Sequence, residues 1–253
     1  MPKLKLDSLS DSLTSRPLEI NYELSGSGPL LILHHGFGSW GRDWNRGGWL
    51  EPLREHATVM IFDAIGHGLS TRSHDPNDHT VEQRAAVVNA LADEYGSERY
   101  GYVGFSMGGR TGLELAATTP QRLKMIAIGG MHLLPATANA DRFIRHMKVL
   151  RSGRAKSVEQ PDGERPGNDP LALAASHEAL LWWQGAGERL QNHHAPTLLF
   201  CGEDDAHFPN AKESSQTFGY ELTALENTDH DSTFFSSKEA VESVTAFVAK
   251  HLA

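Results

Sequence analysis

A short serine motif is the first place in this chain where residue types and spacing could do chemistry. Gly104-Phe105-Ser106-Met107-Gly108 follows the apolar run at residues 100–103 and precedes a segment of helical period at residues 110–117. A serine hydroxyl is a weak nucleophile at neutral pH, so a hydrolase must expose it beside a base and beside donors for an oxyanion. A tight strand-to-helix turn with flanking glycines exposes the hydroxyl and places the Met107 N–H where negative charge develops. An ordinary strand-to-helix turn would fit the same five residues, so the motif needs partners elsewhere in the chain.

A second oxyanion donor is predicted upstream of this serine. The continuous apolar run at residues 30–33 is typical of a buried strand, and it leads into His34-His35-Gly36-Phe37-Gly38. Because Gly36 and Gly38 let the main chain approach a substrate closely, the Phe37 N–H is the predicted second donor. A glycine-rich turn without a catalytic role is the alternative.

The acid and the base that a serine nucleophile needs follow two later strand-like runs. The run at residues 196–201 precedes Gly202-Glu203-Asp204-Asp205, and the run at residues 220–225 leads into a loop with His230. An open parallel sheet places its chemistry at the carboxyl ends of its strands. The order Ser106, Asp205, His230 is the chain order of one known triad architecture. The sequence therefore predicts that Asp205 orients His230 and that His230 takes the proton of Ser106.

These motifs, together with the segment at residues 63–70, resemble the α/β-hydrolase superfamily over most of the chain, from about Leu18 to the C-terminus. The resemblance implies an α/β-hydrolase fold, with a mostly parallel central sheet, helices on both faces and a short helical lid. It also implies an acid three residues after a glycine and four before a proline, which selects Asp205 over Asp204. Two departures occur: Asp229 replaces the glycine that often precedes the histidine, and residues 63–70 lack an arginine often present there.

The elements that must position these residues can be traced along the whole sequence. Apolar runs alternate with segments of helical period, which predicts a mostly parallel sheet covered on both faces. A capping pattern at Thr80 predicts a helix that ends at Gly96, and residues 236–239 predict the start of the last helix. Residues 3–16 show no strong period and are predicted to be an irregular or weakly paired lead-in. The runs lie at residues 18–24, 30–33, 58–62, 100–103, 123–128, 197–201 and 220–225.

The alternation breaks between the runs at residues 123–128 and 197–201. We therefore expect residues 1–130 and 195–253 to form the hydrolase core and residues 131–194 to form a helical lid insertion. Two helical stretches, 141–151 and 171–183, are joined by a segment rich in glycine, proline and charge at residues 152–170. Trp182 and Trp183 are its largest apolar residues, and the expectation is that at least one lines the substrate pocket. The alternative is that both only pack the lid onto the core.

Composition limits the classes of function. At 253 residues, with 39% hydrophobic and 22% charged residues, the chain is typical of one globular domain. A formal net charge of -9 argues against nucleic acid or an anionic membrane as the main partner. The sequence shows no apolar stretch long enough to span a bilayer, no secretory signal, and Cys201 as its single cysteine. These features predict a cytoplasmic protein without a disulfide, and they leave the oligomeric state open.

Fourteen histidines raise the question of a metal site. Neighbouring histidines such as His34 and His35 point in opposite directions on an extended segment, so they rarely share an ion. A His-x-x-x-His pair on a predicted helix is missing, as is a Cys-His cluster. The sequence therefore predicts no catalytic metal and no cofactor.

The preferred function is that of a serine hydrolase that cleaves a small carboxylic ester or lactone through an acyl-enzyme on Ser106. Its partner would be a small-molecule acyl substrate. Serine at this position argues against the haloalkane dehalogenase and epoxide hydrolase branches, which resemble the same fold but use an aspartate there.

Three other functions remain open from the sequence. Gly-x-Ser-x-Gly-Gly-Arg, ending at Arg110, resembles the elbow of the menaquinone-pathway SHCHC synthase, a cofactor-free lyase, for which Arg142 and Arg145 would supply further positive charge. A carbon–carbon bond hydrolase is less favoured, because many of these enzymes carry asparagine where this chain has Phe105. A non-catalytic small-molecule receptor of the same fold is the third alternative.

Overall fold

The computed structural model describes residues 2–6, 17–133, 140–153 and 167–253. Within these ranges the strands are β1 (Lys3–Leu6), β2 (Leu18–Gly26), β3 (Leu30–His34), β4 (Thr58–Phe62), β5 (Tyr100–Phe105), β6 (Leu123–Gly129), β7 (Thr197–Gly202) and β8 (Glu221–Leu225). They form one sheet in the order β1-β2-β4-β3-β5-β6-β7-β8. The pairs β1–β2 and β2–β4 are antiparallel, and the other pairs are parallel. The predicted α/β-hydrolase fold, with its mostly parallel sheet, is confirmed.

Side chains of successive strand residues enter two separate cores, as the period of two in a strand requires. In β3, Leu30 and Ile32 belong to one apolar cluster, whereas Leu31 and Leu33 belong to the other. Every residue of β3, β4 and β5 is buried, which explains why their sequences are continuous apolar runs rather than alternating ones.

Helices cover both faces of this sheet. They are α1 (Asp43–Arg46), α2 (Leu50–Leu53), α3 (Val81–Tyr95), α4 (Met107–Thr118), α5 (Ala140–Arg151), α6 (Pro170–Leu180), α7 (Phe208–Phe218), α8 (His230–Phe235) and α9 (Lys238–His251). Residues of α3 and α4 pack in the first core, and residues of α1, α2, α8 and α9 pack in the second. None of the helices in the described ranges has the length and apolar character needed to cross a lipid bilayer.

Several predicted boundaries are confirmed by the caps that set them. The Thr80 hydroxyl accepts a hydrogen bond from the Gln83 N–H at the start of α3, and Gly96 ends this helix with a positive φ of 80°. Ser237 caps α9 in the same way. Because each cap satisfies backbone groups that the helix leaves unpaired, a local sequence signal was sufficient to place these ends.

The N-terminal segment begins with a short edge strand. Lys3–Leu6 is a strand that pairs antiparallel with β2, and it buries Leu4 and Leu6 while its two lysines face outward. Of the two predicted alternatives, an irregular or a weakly paired segment, the paired one applies to these residues. The remainder of the segment, residues 7–16, lies outside the described ranges.

The insertion between β6 and β7 contains α5 and α6, which pack against each other and are called the insertion helices below. Helix α6 begins after Asp169, whose carboxylate accepts the Leu171 N–H, and it ends at Leu180 instead of running to residue 183. Most of the predicted linker between these helices, residues 154–166, lies outside the described ranges.

Candidate active site

Ser106 occupies the single residue between the end of β5 and the start of α4, and its backbone is unusual. Its φ of 52° and ψ of -106° are sparsely populated for a residue with a Cβ, at a cost of about 1 to 3 kcal/mol. Two hydrogen bonds hold this conformation: Ser106 N–H donates to the Gly129 carbonyl at 2.8 Å, and Arg110 N–H donates to the Ser106 carbonyl at 3.1 Å. The fold therefore holds Ser106 in a strained backbone conformation that exposes its side chain at the turn.

The flanking glycines are required by close backbone approach. A Cβ at Gly108 would lie 2.1 Å from the His34 carbonyl oxygen, and one at Gly104 would lie 2.3 Å from the Gly108 carbonyl oxygen. Real Cβ atoms do not approach an oxygen so closely, so α4 can pack onto β3 and β5 only with glycine at these positions.

Asp205 and His230 are joined directly. The His230 Nδ1–H donates to Asp205 Oδ2 at 2.6 Å, and the other oxygen of Asp205 accepts the His207 backbone N–H at 2.9 Å. Burial disfavours the charged carboxyl, but the hydrogen bond from His230 and the electrostatic interaction with it outweigh burial and hold the pKa of Asp205 below its ordinary value. The Cys201 thiol also donates to Asp205 Oδ2, at 3.7 Å, and burial raises the pKa of this thiol. Asp205 is therefore an ionised acceptor for His230.

His230 is the first residue of α8, which corrects the expectation that it lies on a loop. Asp229 caps this short helix: its carboxylate accepts the Ser232 N–H at 2.8 Å, and its own N–H donates to the Ser232 hydroxyl at 3.0 Å. The departure from glycine at position 229 is thus explained by a reciprocal capping box, which fixes the direction in which the imidazole leaves the backbone. The Phe105 ring packs on this imidazole with 4.9 Å between ring centroids.

All the residues that were predicted to be catalytic line one cavity of about 440 Å³. It is lined by Phe37, Ser106, Met107, Asp205 and His230, which come from four segments spread over almost two hundred positions. The structure therefore brings the predicted nucleophile, base, acid and oxyanion donors to a common space at the carboxyl edge of the sheet.

The two predicted oxyanion donors have further features in common. Within the described chain, neither the Phe37 N–H nor the Met107 N–H has a hydrogen-bond acceptor. Helix α6 also contacts both residues: the His177 ring stacks on Phe37 with centroids 3.8 Å apart, and the Ser176 hydroxyl lies 4.0 Å from Met107 Sδ. Helix α6 therefore contacts both of the residues that carry these N–H groups.

The expectation that Trp182 or Trp183 lines the pocket is not met in the described part of the chain. Trp183 is buried, and its indole N–H donates to the Glu114 carboxylate at 2.9 Å, whereas Trp182 is 47% exposed. Neither residue is among those that line the cavity. Trp183 instead packs the insertion onto α4, which is the alternative that the sequence left open.

Sequence reasoning missed Arg84, Ser176 and His177, all of which line the cavity. A usable signal existed for Arg84, since it falls three residues after Val81 and four before Val88, on the apolar stripe of α3. An arginine in such a stripe needs a reason to be buried, because charged side chains rarely are.

Asp205, His207 and His230 also form a set of donors with the residue types that a divalent transition metal prefers. One ligand atom from each of the three lies within 4.8 Å of the others. Burial lowers the pKa of His207 to about 4, against the pull of the nearby Asp205 charge, so this imidazole is neutral and its lone pair is free at neutral pH. The expectation of no catalytic metal stays a prediction.

Comparison with known proteins agrees with the fold. Residues 29–149 match the sequence model of the family described as alpha/beta hydrolase fold. Over these residues the chain is similar to this family, and it has the α/β-hydrolase fold.

Its relatives include the protein named "Putative carbamate hydrolase RutD" of Yersinia enterocolitica, which is 28% identical over 213 residues, or 76% of each chain. Among solved structures, an esterase from Thermogutta terrifontis superposes with a TM-score of 0.83 over 99% of each chain, at 18% identity. The enol-lactonase from Burkholderia xenovorans superposes with a TM-score of 0.77 over 92% of this chain and 97% of its own, at 21% identity. At these identities, the structural likeness establishes the fold.

Proposed function

We propose that this protein is a serine hydrolase that cleaves a small carboxylic ester or lactone through an acyl-enzyme on Ser106. The observation that carries the proposal is the hydrogen bond from His230 Nδ1 to Asp205 Oδ2, at the wall of a cavity that Ser106 also lines. The similarity to the alpha/beta hydrolase family model and to the proteins named as carbamate hydrolases supports hydrolysis as the reaction class.

The tautomer of His230 defines its role. Because Asp205 is ionised and can only accept, the proton of the imidazole lies on Nδ1, and Nε2 carries a free lone pair. That nitrogen takes the Ser106 proton while the hydroxyl oxygen attacks the carbonyl carbon of the substrate. General-base assistance of this kind is worth about 10² to 10⁴ in rate.

The negative charge that develops on the carbonyl oxygen is received by the N–H groups of Phe37 and Met107. Both groups lack an acceptor in the described chain, so they need not break an existing hydrogen bond to do this. The loss of one such donor typically costs about 2.7 to 4 kcal/mol of transition-state stabilisation. The Met107 N–H also lies at the positive end of the α4 dipole, which favours the anion further.

Collapse of the tetrahedral intermediate completes the first half of the reaction. The protonated His230 gives its proton to the leaving alkoxide, and the acyl group remains on Ser106. A water molecule then gives its proton to His230 and attacks the acyl carbon, so that the acid leaves and the serine hydroxyl is restored.

Labelling with a fluorophosphonate probe tests the nucleophile. We expect the wild type to be labelled and to hydrolyse 4-nitrophenyl acetate, and the Ser106→Ala variant to lose both properties while it keeps its thermal unfolding midpoint. Ser39→Ala is the matched control, because Ser39 lines the same cavity but has no base beside it in this mechanism. A near-wild-type rate in Ser106→Ala would exclude the proposed mechanism.

A carbamate is a second candidate substrate, favoured by the similarity to the proteins named RutD over three quarters of the chain. The same serine attack on a carbamate carbonyl would give a carbamoyl-enzyme in place of an acyl-enzyme. A comparison of kcat/KM for an aryl carbamate and an aryl acetate with the same leaving group distinguishes the two: the carbamate is the better substrate only if this second candidate is correct.

A further inference from the structure

The charged residues that line the cavity are separated by sign. Three exposed aspartates, Asp204, Asp229 and Asp231, lie at the ends of β7 and β8, close to the predicted triad. The cationic residues lie toward the insertion helices instead, where Arg84 contacts α6 and Arg110 contacts α5. Arg142, an exposed residue of α5, also lines the cavity, so the cations lie on its insertion side and Arg84 and Arg110 are the buried ones among them.

Arg84 is buried and only partly satisfied. It is 3% exposed, and its Nη2 donates to the Ser176 hydroxyl at 2.7 Å. Its Nε has no hydrogen-bond partner in the described residues. The positively charged guanidinium of Arg84 therefore has one neutral hydroxyl as its hydrogen-bond acceptor in the described residues.

Arg110 is equally buried and has still fewer partners. It is 3% exposed, and its Nε is unpaired in the described chain. The central carbon of its guanidinium, Cζ, lies 5.8 Å from the centroid of the Phe143 ring and 5.9 Å from that of the Trp183 ring. Ser106 and Arg110 are one helical turn apart, since the Arg110 N–H bonds the Ser106 carbonyl. This positive charge is consequently placed close to the proposed nucleophile.

The protein does not neutralise these two charges within the described chain. Burial lowers the pKa of Arg84 and of Arg110 to about 10, so both remain protonated at neutral pH. The buried carboxylate of Glu114 is already held by Arg189 at 2.6 and 2.8 Å, and that of Asp205 is held by His230.

The two neighbouring imidazoles, those of His146 and His177, add no charge to the cavity. Burial lowers the pKa of His177 to about 3, and it also lowers the pKa of His146, with which His177 shares a hydrogen bond of 2.9 Å. Both imidazoles are therefore neutral at pH 7. Two buried cations without an anion are unfavourable for folding, which makes a ligand anion the natural partner.

We propose that Arg84 and Arg110 form an anion subsite that binds a carboxylate of the substrate, so that the natural substrate is an anionic ester or lactone. The inference rests on the proposed function for the bond that is cleaved, and it adds the charge of the molecule that is selected. A carboxylate fits because guanidinium groups bind it with paired, charge-assisted hydrogen bonds. The anion can belong to the acyl part or to the alcohol part of the ester.

Paired esters test the subsite. Mono-4-nitrophenyl glutarate and 4-nitrophenyl valerate differ in charge on the acyl side, and 4-acetoxybenzoate and its methyl ester differ on the alcohol side. We expect the anionic member of at least one pair to have a kcat/KM about tenfold higher or more, which corresponds to about 1.4 kcal/mol. The pair that shows the preference identifies the side that carries the carboxylate.

The ratio of anionic to neutral kcat/KM within each variant is the decisive quantity, because a general loss of activity cancels in it. We expect Arg84→Met and Arg110→Met to bring this ratio close to one and Arg110→Lys to keep part of it. Arg145→Met is the matched control and should keep the wild-type ratio, since Arg145 is exposed on α5 and lies outside the cavity lining. Ratios near one in the wild type, or a preference that both methionine variants retain, would overturn the subsite.

Binding without turnover separates this inference from the proposed function. In Ser106→Ala, calorimetry should show that monomethyl glutarate binds and that dimethyl glutarate binds at least about tenfold more weakly. Arginine-dependent binding of the monoanion, together with a wild type that hydrolyses neither ester, would retain the subsite and reject the hydrolase. Equal binding of the two esters would reject the subsite even where Ser106 is labelled and active.

Discussion

Under the proposed mechanism, replacement of Asp205 by asparagine should abolish hydrolysis by reversing the tautomer of His230. In the structure, one oxygen of Asp205 accepts the His207 backbone N–H at 2.9 Å, and the other accepts His230 Nδ1–H at 2.6 Å. An amide at this position keeps its oxygen toward the His207 N–H, because two donors facing each other are unfavourable. Its NH₂ then faces His230 and must donate to Nδ1.

The consequence for catalysis follows from the proton count on the imidazole. With Nδ1 as the acceptor, the remaining proton moves to Nε2, which can no longer take the proton of Ser106. The expected loss is about 10⁴ in kcat, or about 5.4 kcal/mol of transition-state stabilisation. Because asparagine has the shape of aspartate, the thermal unfolding midpoint should change little compared with this loss.

A neighbouring aspartate supplies the control. Asp204 is exposed, lies at the edge of the same cavity, and carries the same charge, so Asp204→Asn reproduces the change in charge without the change in tautomer. We expect kcat/KM for 4-nitrophenyl acetate to fall by about four orders of magnitude in Asp205→Asn and to stay near the wild-type value in Asp204→Asn. Loss of less than about tenfold in Asp205→Asn, or a greater loss in Asp204→Asn, would refute the assignment of Asp205 as the acid.

Three further perturbations test other parts of the description. Gly108→Ala should lower the free energy of unfolding by about 3 kcal/mol or more, because its methyl would meet a β3 carbonyl oxygen at 2.1 Å, whereas Gly36→Ala meets no atom closer than 3.5 Å; equal denaturant midpoints would contradict this. Burial lowers the pKa of His79 to about 4, so its contribution to stability is complete above about pH 6.5 and is lost as pH falls toward 4, by about 2 kcal/mol at pH 5 relative to pH 8. In His79→Gln, the slope of the unfolding free energy against pH should decrease below about pH 6.5 by about the amount that one bound proton contributes. An unchanged slope would exclude His79 as the source of this pH dependence. Zn²⁺ should inhibit ester hydrolysis by occupying Asp205, His207 and His230, and inhibition should require more Zn²⁺ in His207→Asn; equal sensitivity would exclude His207 as a ligand.

The predictions that succeeded depend on local rules. Thr80 and Gly96 mark the ends of α3 because capping is decided within a few residues of the helix end. The order Ser106, Asp205, His230 identified the residues that line one cavity, because the carboxyl ends of parallel strands share one edge of the sheet.

The predictions that failed depend on long-range packing. Whether Trp183 faces the pocket or Glu114 depends on how the insertion sits on α4, and composition carries no information about this. The strand Lys3–Leu6 is stabilised by pairing with β2, and four residues with two charges have too weak a period to decide between an irregular and a paired segment. Arg84 reaches the cavity only because α3 packs beside α4, a juxtaposition that periodicity along one helix does not specify.

In the proposed mechanism, the contacts of α6 with Phe37 and Met107 tie substrate selection to the rate of bond cleavage. An evolutionary change in α6 that widened the cavity would also change its contacts with Phe37 and Met107, and with them the position of the two backbone N–H groups proposed to bind the oxyanion. Exchange of the insertion for that of another hydrolase should therefore change the turnover number as well as the range of accepted molecules. Diversification in this protein would need compensating changes in the glycine loop around Phe37, so these two segments are expected to evolve together.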